Sequence, residues 1–110
     1  MTQGKAEYIK GTLDLLILKI VALGPIHGYA IAQRIRQISN DVLQVQQGSL
    51  YPALHRLEKR RWLSTEWGEA ESGREAKFYA LTRAGRKQLE AQTGAWRALT
   101  AAVDLLLDTP

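Results

Sequence analysis

Apolar side chains recur at helical spacing in the first part of the chain and predict two short helices. The first helix is expected over 13–23, with Thr12 as its N-cap and Gly24-Pro25 as its stop signal. A second helix is expected from Gly28 to Ser39. The predicted core positions are Leu13, Leu16, Ile17, Ile20 and Leu23 in the first helix, and Ile31, Ile35 and Ile38 in the second.

A third helix is predicted after Gly48, with Ser49 as its N-cap. Pro52 is expected in its first turn, where the missing N–H has no helical acceptor to lose. One face is apolar at i, i+4 and i+7 spacing, and the opposite face is polar and basic. The apolar face comprises Leu50, Ala53, Leu54 and Leu57, and the polar face Tyr51, His55, Arg56 and Lys59.

The period then changes from helical to alternating, which predicts a β-hairpin. Its strands are expected at 63–67 and 77–81, joined by a polar loop from Gly68 to Gly73. Trp62 and Trp67 are expected to pack in this hairpin and the core. Three short helices, a hairpin and a further helix form a mainly α fold with a small β-hairpin (α+β). That order is typical of a winged helix-turn-helix, whose third helix enters the DNA major groove.

A long last helix is predicted from Arg83 to Leu107, with Thr82 as its N-cap. Its apolar positions follow a heptad-like grid that a small core would not fully cover, so a second copy of the helix is the expected partner. Gln92 interrupts the grid, and Leu105 and Leu107 add to the apolar end. The expected dimer contacts are Leu89, Trp96, Leu99, Val103 and Leu106.

Length and composition exclude several classes of protein. A chain of 110 residues without cysteine predicts one compact domain and excludes a disulfide scaffold, a thiol nucleophile and cysteine-based zinc sites. No apolar run approaches the roughly 18 residues of a membrane span, and no cleavage site of a secretion signal follows Leu23, so a cytoplasmic location is expected. His27 and His55 lack metal-ligand spacing, and His27 is expected to be a satisfied capping or core residue. With no phosphate-binding or catalytic motif either, we expect no enzyme, catalytic residue, metal or cofactor.

The net charge of +4 is unevenly distributed along the chain. Residues 1–61 carry nine Lys/Arg against four Asp/Glu, a net +5, whereas residues 62–110 carry six against seven. The basic excess indicates an anionic partner such as nucleic acid. Tyr51, His55 and Lys59, at i, i+4 and i+8 on the third helix, form a stripe suited to a DNA groove, although an ordinary helical domain can show the same pattern.

Several short motifs stand in a specific order between residues 10 and 87. They are Gly11-Thr12-Leu13, Leu16-Ile17-Leu18, His27-Gly28-Tyr29, Gly48-Ser49-Leu50-Tyr51-Pro52-Ala53-Leu54, Arg56-Leu57-Glu58, Lys77-Phe78-Tyr79-Ala80-Leu81-Thr82 and Gly85-Arg86. Together these motifs resemble the PadR family of bacterial transcriptional regulators, in particular its short members. The sequence at 41–45 and 66–69 is most similar to a subgroup abundant in acidobacteria. Arg61 stands where the family usually has glycine.

The resemblance implies a homodimer that binds an inverted-repeat operator in double-stranded DNA, usually as a repressor. Residues 1–81 would form the winged helix-turn-helix region and residues 82–110 the dimerisation helix of one compact domain. Lys59 joins the expected DNA contacts through its place in the stripe on the third helix. The contacts implied by the resemblance are Gln47, Ser49, Leu50, Tyr51, His55 and Arg56, with Arg74 and Lys77 in the wing.

Three alternatives stay open at the level of sequence. Tyr51 either contacts DNA or packs under the wing. Trp96 is either a packing residue of the dimer or, as in multidrug-responsive short members of the family, the binding surface for a planar small-molecule effector. Because the wing carries Glu66, Glu69, Glu71 and Glu75, the chain could instead be a winged-helix protein-interaction module without DNA binding.

Overall fold

The computed structural model describes residues 12–110, so Gly11 and the rest of the N-terminal segment lie outside the described residues. The elements follow the predicted order, which confirms the α+β winged helix-turn-helix with a long C-terminal helix. They are α1 (Leu13–Ala22), β1 (Ile26–His27), α2 (Gly28–Ile38), α3 (Gln47–Lys59), β2 (Leu63–Glu69), β3 (Glu75–Leu81) and α4 (Arg83–Leu107).

Helix α1 forms the centre of the core, because α2, α3, β3 and α4 all pack around it. Leu18 and Val21 are buried although they lie off the predicted stripe, since the helix is covered on more than one side. At the ends of the helices the pattern overestimates burial: Leu23 is 56% exposed and Ile38 of α2 is 55% exposed. The α3 side of the core agrees with the prediction, with Leu50, Ala53, Leu54 and Leu57 all buried.

The sheet has three antiparallel strands in the order β1-β3-β2, one more than predicted. The extra strand is only two residues long and pairs Ile26 with Tyr79 and His27 with Phe78. Strands β2 and β3 also extend two residues further than predicted, to the pair Glu69–Glu75, so the connecting loop is shorter. We call this β2–β3 hairpin the wing.

The start of α3 differs from its prediction by three residues, because the N-cap is Gln46 instead of Ser49. The Gln46 carbonyl accepts hydrogen bonds from the backbone N–H groups of Ser49 and Leu50, so the helix begins at Gln47 and Ser49 is not its N-cap. Pro52 therefore lies in the second turn, where it removes the N–H that the Gly48 carbonyl would otherwise accept. The sequence signal at Ser49 was wrong because Gln47 and Gly48 are already helical and the extended Gln46 occupies the N-cap position.

Helix α4 begins as predicted, and side chains and backbone from two segments meet at its first turn. The Thr82 hydroxyl accepts from the Gly85 N–H at 2.9 Å and donates to the Arg61 carbonyl at 2.7 Å. The Thr82 N–H donates to the Trp62 carbonyl at 3.1 Å. Arg61 itself adopts φ +65°, a left-handed conformation that explains why glycine suits this position. Within residues 12–110, neither α4 nor a shorter helix is apolar enough over a sufficient length to cross a membrane.

Candidate nucleic-acid interface

The polar face of α3 carries the side chains best placed to meet a ligand. Tyr51, His55 and Lys59 are all exposed along this face, and we call them the α3 stripe. Gln47 and Ser49 are exposed in the first turn of the same helix. Because the opposite face is buried against α1 and α2, α3 is held rigidly with its polar face outward.

Leu50 does not belong to this surface. Its side chain is 0% exposed and lies in the core with Leu54 and Leu57, so the expectation of a DNA contact by Leu50 is corrected. The physical reason is its place at the first position of the i, i+4, i+7 apolar face of α3.

Tyr51 packs on the start of α2 and is still 37% exposed. A Cβ added to Gly28 would lie 3.1 Å from both Cε1 and the hydroxyl oxygen of Tyr51, so the ring rests directly on the glycine backbone. The rings of Tyr29 and Tyr51 meet edge to face with centroids 6.3 Å apart. Partial burial raises the pKa of Tyr51, and the neighbouring Tyr29 and Tyr79 hydroxyls raise it further by smaller amounts. Tyr51 therefore packs against the start of α2 while part of its side chain stays exposed.

Two predicted contacts, Arg56 and Lys77, are engaged in ion pairs within the protein. Arg56 points away from the α3 stripe and forms a short ion pair with Asp14 of α1. The Lys77 ammonium lies 3.0 Å from Oε1 of Glu58, on α3, and 5.7 Å from the Tyr79 ring centroid. Arg56 is therefore not part of the α3 stripe, and Lys77 is not a free cation at the tip of the wing.

The wing is acidic, as expected, and its charge is only weakly balanced. With Lys77 paired to Glu58, Arg74 is the cation at the tip, and it is exposed among four glutamates. Trp67 is 65% exposed, so the expectation that it packs in the core is wrong. Trp62 does pack against the core and lies under the guanidinium of Arg60, 5.1 Å from its ring centroid.

A cavity of about 350 Å³ lies where α1, α3 and α4 meet, and Arg56 is the residue of α3 that lines it. Trp96 and Leu99 form its wall on α4, and Asp14 and Arg56 bring the ion pair to it from α1 and α3. Trp96 is half-buried in this wall. The remaining lining residues are Thr12, Leu15, Gln92 and Ala95.

The expected dimer contacts fall into two groups. Leu89 is half-buried against the core of its own chain, so its packing is accounted for within one protomer. Leu99, Val103 and Leu106 are 56%, 42% and 76% exposed, and Leu105 and Leu107 beside them are 72% and 75% exposed. The apolar surface of α4 that residues 12–110 leave exposed therefore begins at Leu99.

His27 is half-buried at the junction of β1 and α2 and lacks the hydrogen bond expected of its Nδ1 atom. Its Nδ1 atom is buried and has no hydrogen-bond partner among the described residues, while the ring packs edge to face on Phe78 at 5.5 Å. Across residues 12–110, no three metal-ligating side chains come together.

Sequence reasoning missed Tyr29 as a member of the exposed surface. It is 72% exposed beside Tyr51, on the first turn of α2. The sequence did contain a signal for this exposure. Tyr29 opens the helix on the side opposite the apolar stripe of Ile31 and Ile35, so its side chain is expected to face outward.

Comparison with known proteins places this arrangement in a family. The model of the PadR-like family of transcriptional regulators matches residues 17–91. A PadR-like regulator from Bacillus cereus is 27% identical and superposes with a TM-score of 0.82, over 94% of this chain and 99% of that one. A PadR family regulator from Eggerthella lenta is 28% identical, with a TM-score of 0.81 over 99% of this chain and 93% of that one. An uncharacterized protein of Lysinibacillus sphaericus is 28% identical over 94% of this chain and 95% of its own length.

Proposed function

The chain belongs to the PadR-like family of transcriptional regulators, and on this premise we propose that it is a repressor that binds an inverted-repeat operator as a homodimer. The observation that carries the proposal is the α3 stripe, which is exposed on a helix whose other face is buried. Tyrosine, histidine and lysine donate hydrogen bonds to phosphates and base edges in a major groove. Such a repressor acts on the genome, so we place it in the cytoplasm.

The apolar end of α4 supports the homodimer. Three large apolar side chains on one face of α4, those of Leu99, Val103 and Leu106, are exposed in one protomer, and a second copy of α4 would cover them. We assign DNA binding to residues 1–81 and dimerisation to residues 82–110. Within 82–110, Leu89 and the first turn of α4 pack on their own chain. Two α3 helices related by this dimer would enter successive major grooves roughly 34 Å apart.

A gel shift tests DNA binding. The wild-type protein should form a salt-sensitive complex at nanomolar concentration with the region upstream of its own gene. Lys59→Ala should lower the slope of log affinity against log salt by about two, because the proposed homodimer loses one phosphate contact in each subunit. Lys77→Ala is the matched variant on the wing and should change the slope less, since its ammonium is already paired with Glu58.

Failure of the gel shift would favour the second candidate function, a winged-helix module that binds protein. The acidic wing is the observation that favours this alternative, because four glutamates near a phosphate backbone would repel it. An equal loss of slope in Lys77→Ala and Lys59→Ala would instead restore Lys77 as a phosphate contact.

We also propose that the cavity beside Trp96 binds a planar small-molecule effector. Its volume of about 350 Å³ falls within the range of small-molecule sites, and Trp96 offers a half-buried aromatic surface. Arg56 follows His55 of the stripe directly along α3, lines the same cavity and is paired there with Asp14. A ligand that disturbed this pair would act directly on the helix proposed to bind DNA.

Titration with a planar cationic dye and a planar anionic dye tests the effector site. At least one dye should quench tryptophan emission and release the DNA, and Trp96→Ala should abolish both effects. Asp14→Asn keeps the shape of the side chain but removes the ion pair, so it should bind the dye and yet release DNA poorly. Unchanged quenching and release in Trp96→Ala would place the dye elsewhere.

A further inference from the structure

Two tyrosines from different helices meet at the edge of the α3 stripe. Tyr29 lies on the first turn of α2 and Tyr51 on α3, with ring centroids 6.3 Å apart in an edge-to-face contact. Such a contact contributes about 0.5–1.5 kcal/mol and fixes the relative orientation of the rings. The position of one tyrosine is therefore linked to that of the other.

Gly28 makes this meeting possible. The Tyr51 ring lies so close to the Gly28 backbone that a Cβ there would be 3.1 Å from the Tyr51 hydroxyl oxygen. Tyr51 is thus seated on α2 on one side and contacted by Tyr29 on the other. Two hydroxyl groups are brought to one edge of the surface, and neither has a hydrogen-bond partner among the described residues.

A packing role does not explain why an aromatic residue stands at position 29. At 72% exposure its ring buries little apolar surface, so its contribution to folding is small. The first turns of α2 and α3 contain no acidic residue, in contrast to the glutamates of the wing. A phosphate could therefore approach this edge without meeting a like charge nearby on either helix.

We propose that Tyr29 donates a hydrogen bond to the phosphate–sugar backbone of the operator beside the groove that α3 enters, while positioning Tyr51. This inference rests on the proposed function. In helix-turn-helix proteins the helix before the recognition helix crosses the DNA backbone, and tyrosine hydroxyls are among the common phosphate donors. The contact between the two rings places the Tyr29 hydroxyl next to the stripe, where that backbone must pass.

Binding constants of three variants test the proposal on a duplex from the region upstream of the gene and on a scrambled duplex of the same composition. Tyr29→Phe removes only the hydroxyl and should weaken binding to both duplexes by roughly tenfold, since the lost hydrogen bond is to a charged group. The salt slope should not change, because no cation is removed. Tyr29→Ala should lose more, because Tyr51 is then no longer held by the ring. Ile38→Ala, at another exposed position at the other end of α2, should remain within about twofold of wild type, as surface changes usually do.

The outcomes separate this inference from the proposed function. A wild-type protein that binds neither duplex overturns the proposed function and this inference with it. A wild-type protein that binds, with both Tyr29 variants equal to Ile38→Ala, overturns only the role of Tyr29. A loss in Tyr29→Phe that is confined to the upstream duplex overturns the backbone contact, because phosphates carry no sequence information.

Discussion

The two halves of α4 have the same backbone conformation but depend on different contacts. The first half, 83–92, is attached to its own chain by the Thr82 cap, by Gly85 against the Trp62 carbonyl and by Leu89 on the core. The second half, 99–107, carries apolar side chains that are 42–76% exposed. We call them the anchored half and the free half.

The difference shows that one regular helix can depend on packing within its own chain in one half and leave the other half available for contact with another molecule. In the anchored half, packing within the chain fixes where the helix begins and how it is directed. In the free half, the helix extends past the core, and the described residues leave its apolar side chains exposed within one protomer. In the proposed dimer, folding of one protomer and association of two would depend on different stretches of one helix.

Gly85→Ala is the substitution expected to affect the anchored half most. The added Cβ would lie 2.1 Å from the Trp62 carbonyl oxygen and 2.8 Å from Cδ1 of Leu81, so the start of α4 must move. We expect a loss of about 3 kcal/mol in the free energy of unfolding, since the clash is with backbone and the Thr82 cap is disturbed as well. Urea denaturation measures it, and a midpoint equal to that of wild type would show that the junction is not tightly packed.

Val103→Glu should have the largest effect on the free half. A carboxylate in place of an apolar contact should raise the dissociation constant of the dimer roughly a hundredfold, equivalent to about 2.7 kcal/mol. Sedimentation equilibrium gives this constant directly. Ala101→Glu places the same charge on the opposite face of α4 and should leave the dimer intact; equal dissociation by both variants would contradict the proposed interface.

Gly94→Ala lies between the two halves and should stabilise the protein. No heavy atom lies within 4 Å of a Cβ added there, so the change improves helix propensity by about 1 kcal/mol without a clash. Gly85→Ala and Gly94→Ala form a matched pair, because the same substitution in the same helix is expected to change the free energy of unfolding in opposite directions. Thermal denaturation of both variants tests the pair, and a destabilised Gly94→Ala would indicate that this segment is covered in the dimer.

Arg61→Gly should give the smallest change, a gain of about 0.5 kcal/mol in stability. The strain energy released at φ +65° is slightly larger than the free-energy cost of the extra conformational entropy that glycine gives the unfolded chain. Arg60→Gly is the control, because Arg60 has φ −77° and its guanidinium packs on Trp62. Urea denaturation should show a loss in Arg60→Gly, and a loss in both variants would mean that Arg61 contributes through its side chain.

Local signals in the sequence were sufficient for most of the fold. The cap at Thr82, both bounds of α4 and the buried face of α3 depend on residues a few positions apart, and each was predicted correctly. The missed strand β1 depends on Tyr79 and Phe78, more than fifty residues away along the chain. Two residues cannot show an alternating pattern by themselves, so no local signal for this strand existed.

The candidate site was less predictable for the same reason. The partner of Arg56 lies 42 residues away and that of Lys77 lies 19 residues away, so spacing alone could not show that carboxylates hold these cations. Leu50 illustrates the opposite case, because its own apolar spacing already placed it in the core. The exposure of Tyr29 beside Tyr51 required the packing of two helices to be known.

The acidic wing has a consequence for the behaviour of the protein at high concentration. Among the described residues β2 is an edge strand of the sheet, with backbone groups free to pair with a strand of another molecule. Glu66 and Glu69 are exposed along that edge, and two such edges brought together would repel each other. The glutamates thus oppose aggregation through the sheet, which leaves the apolar end of α4 as the favoured route for self-association.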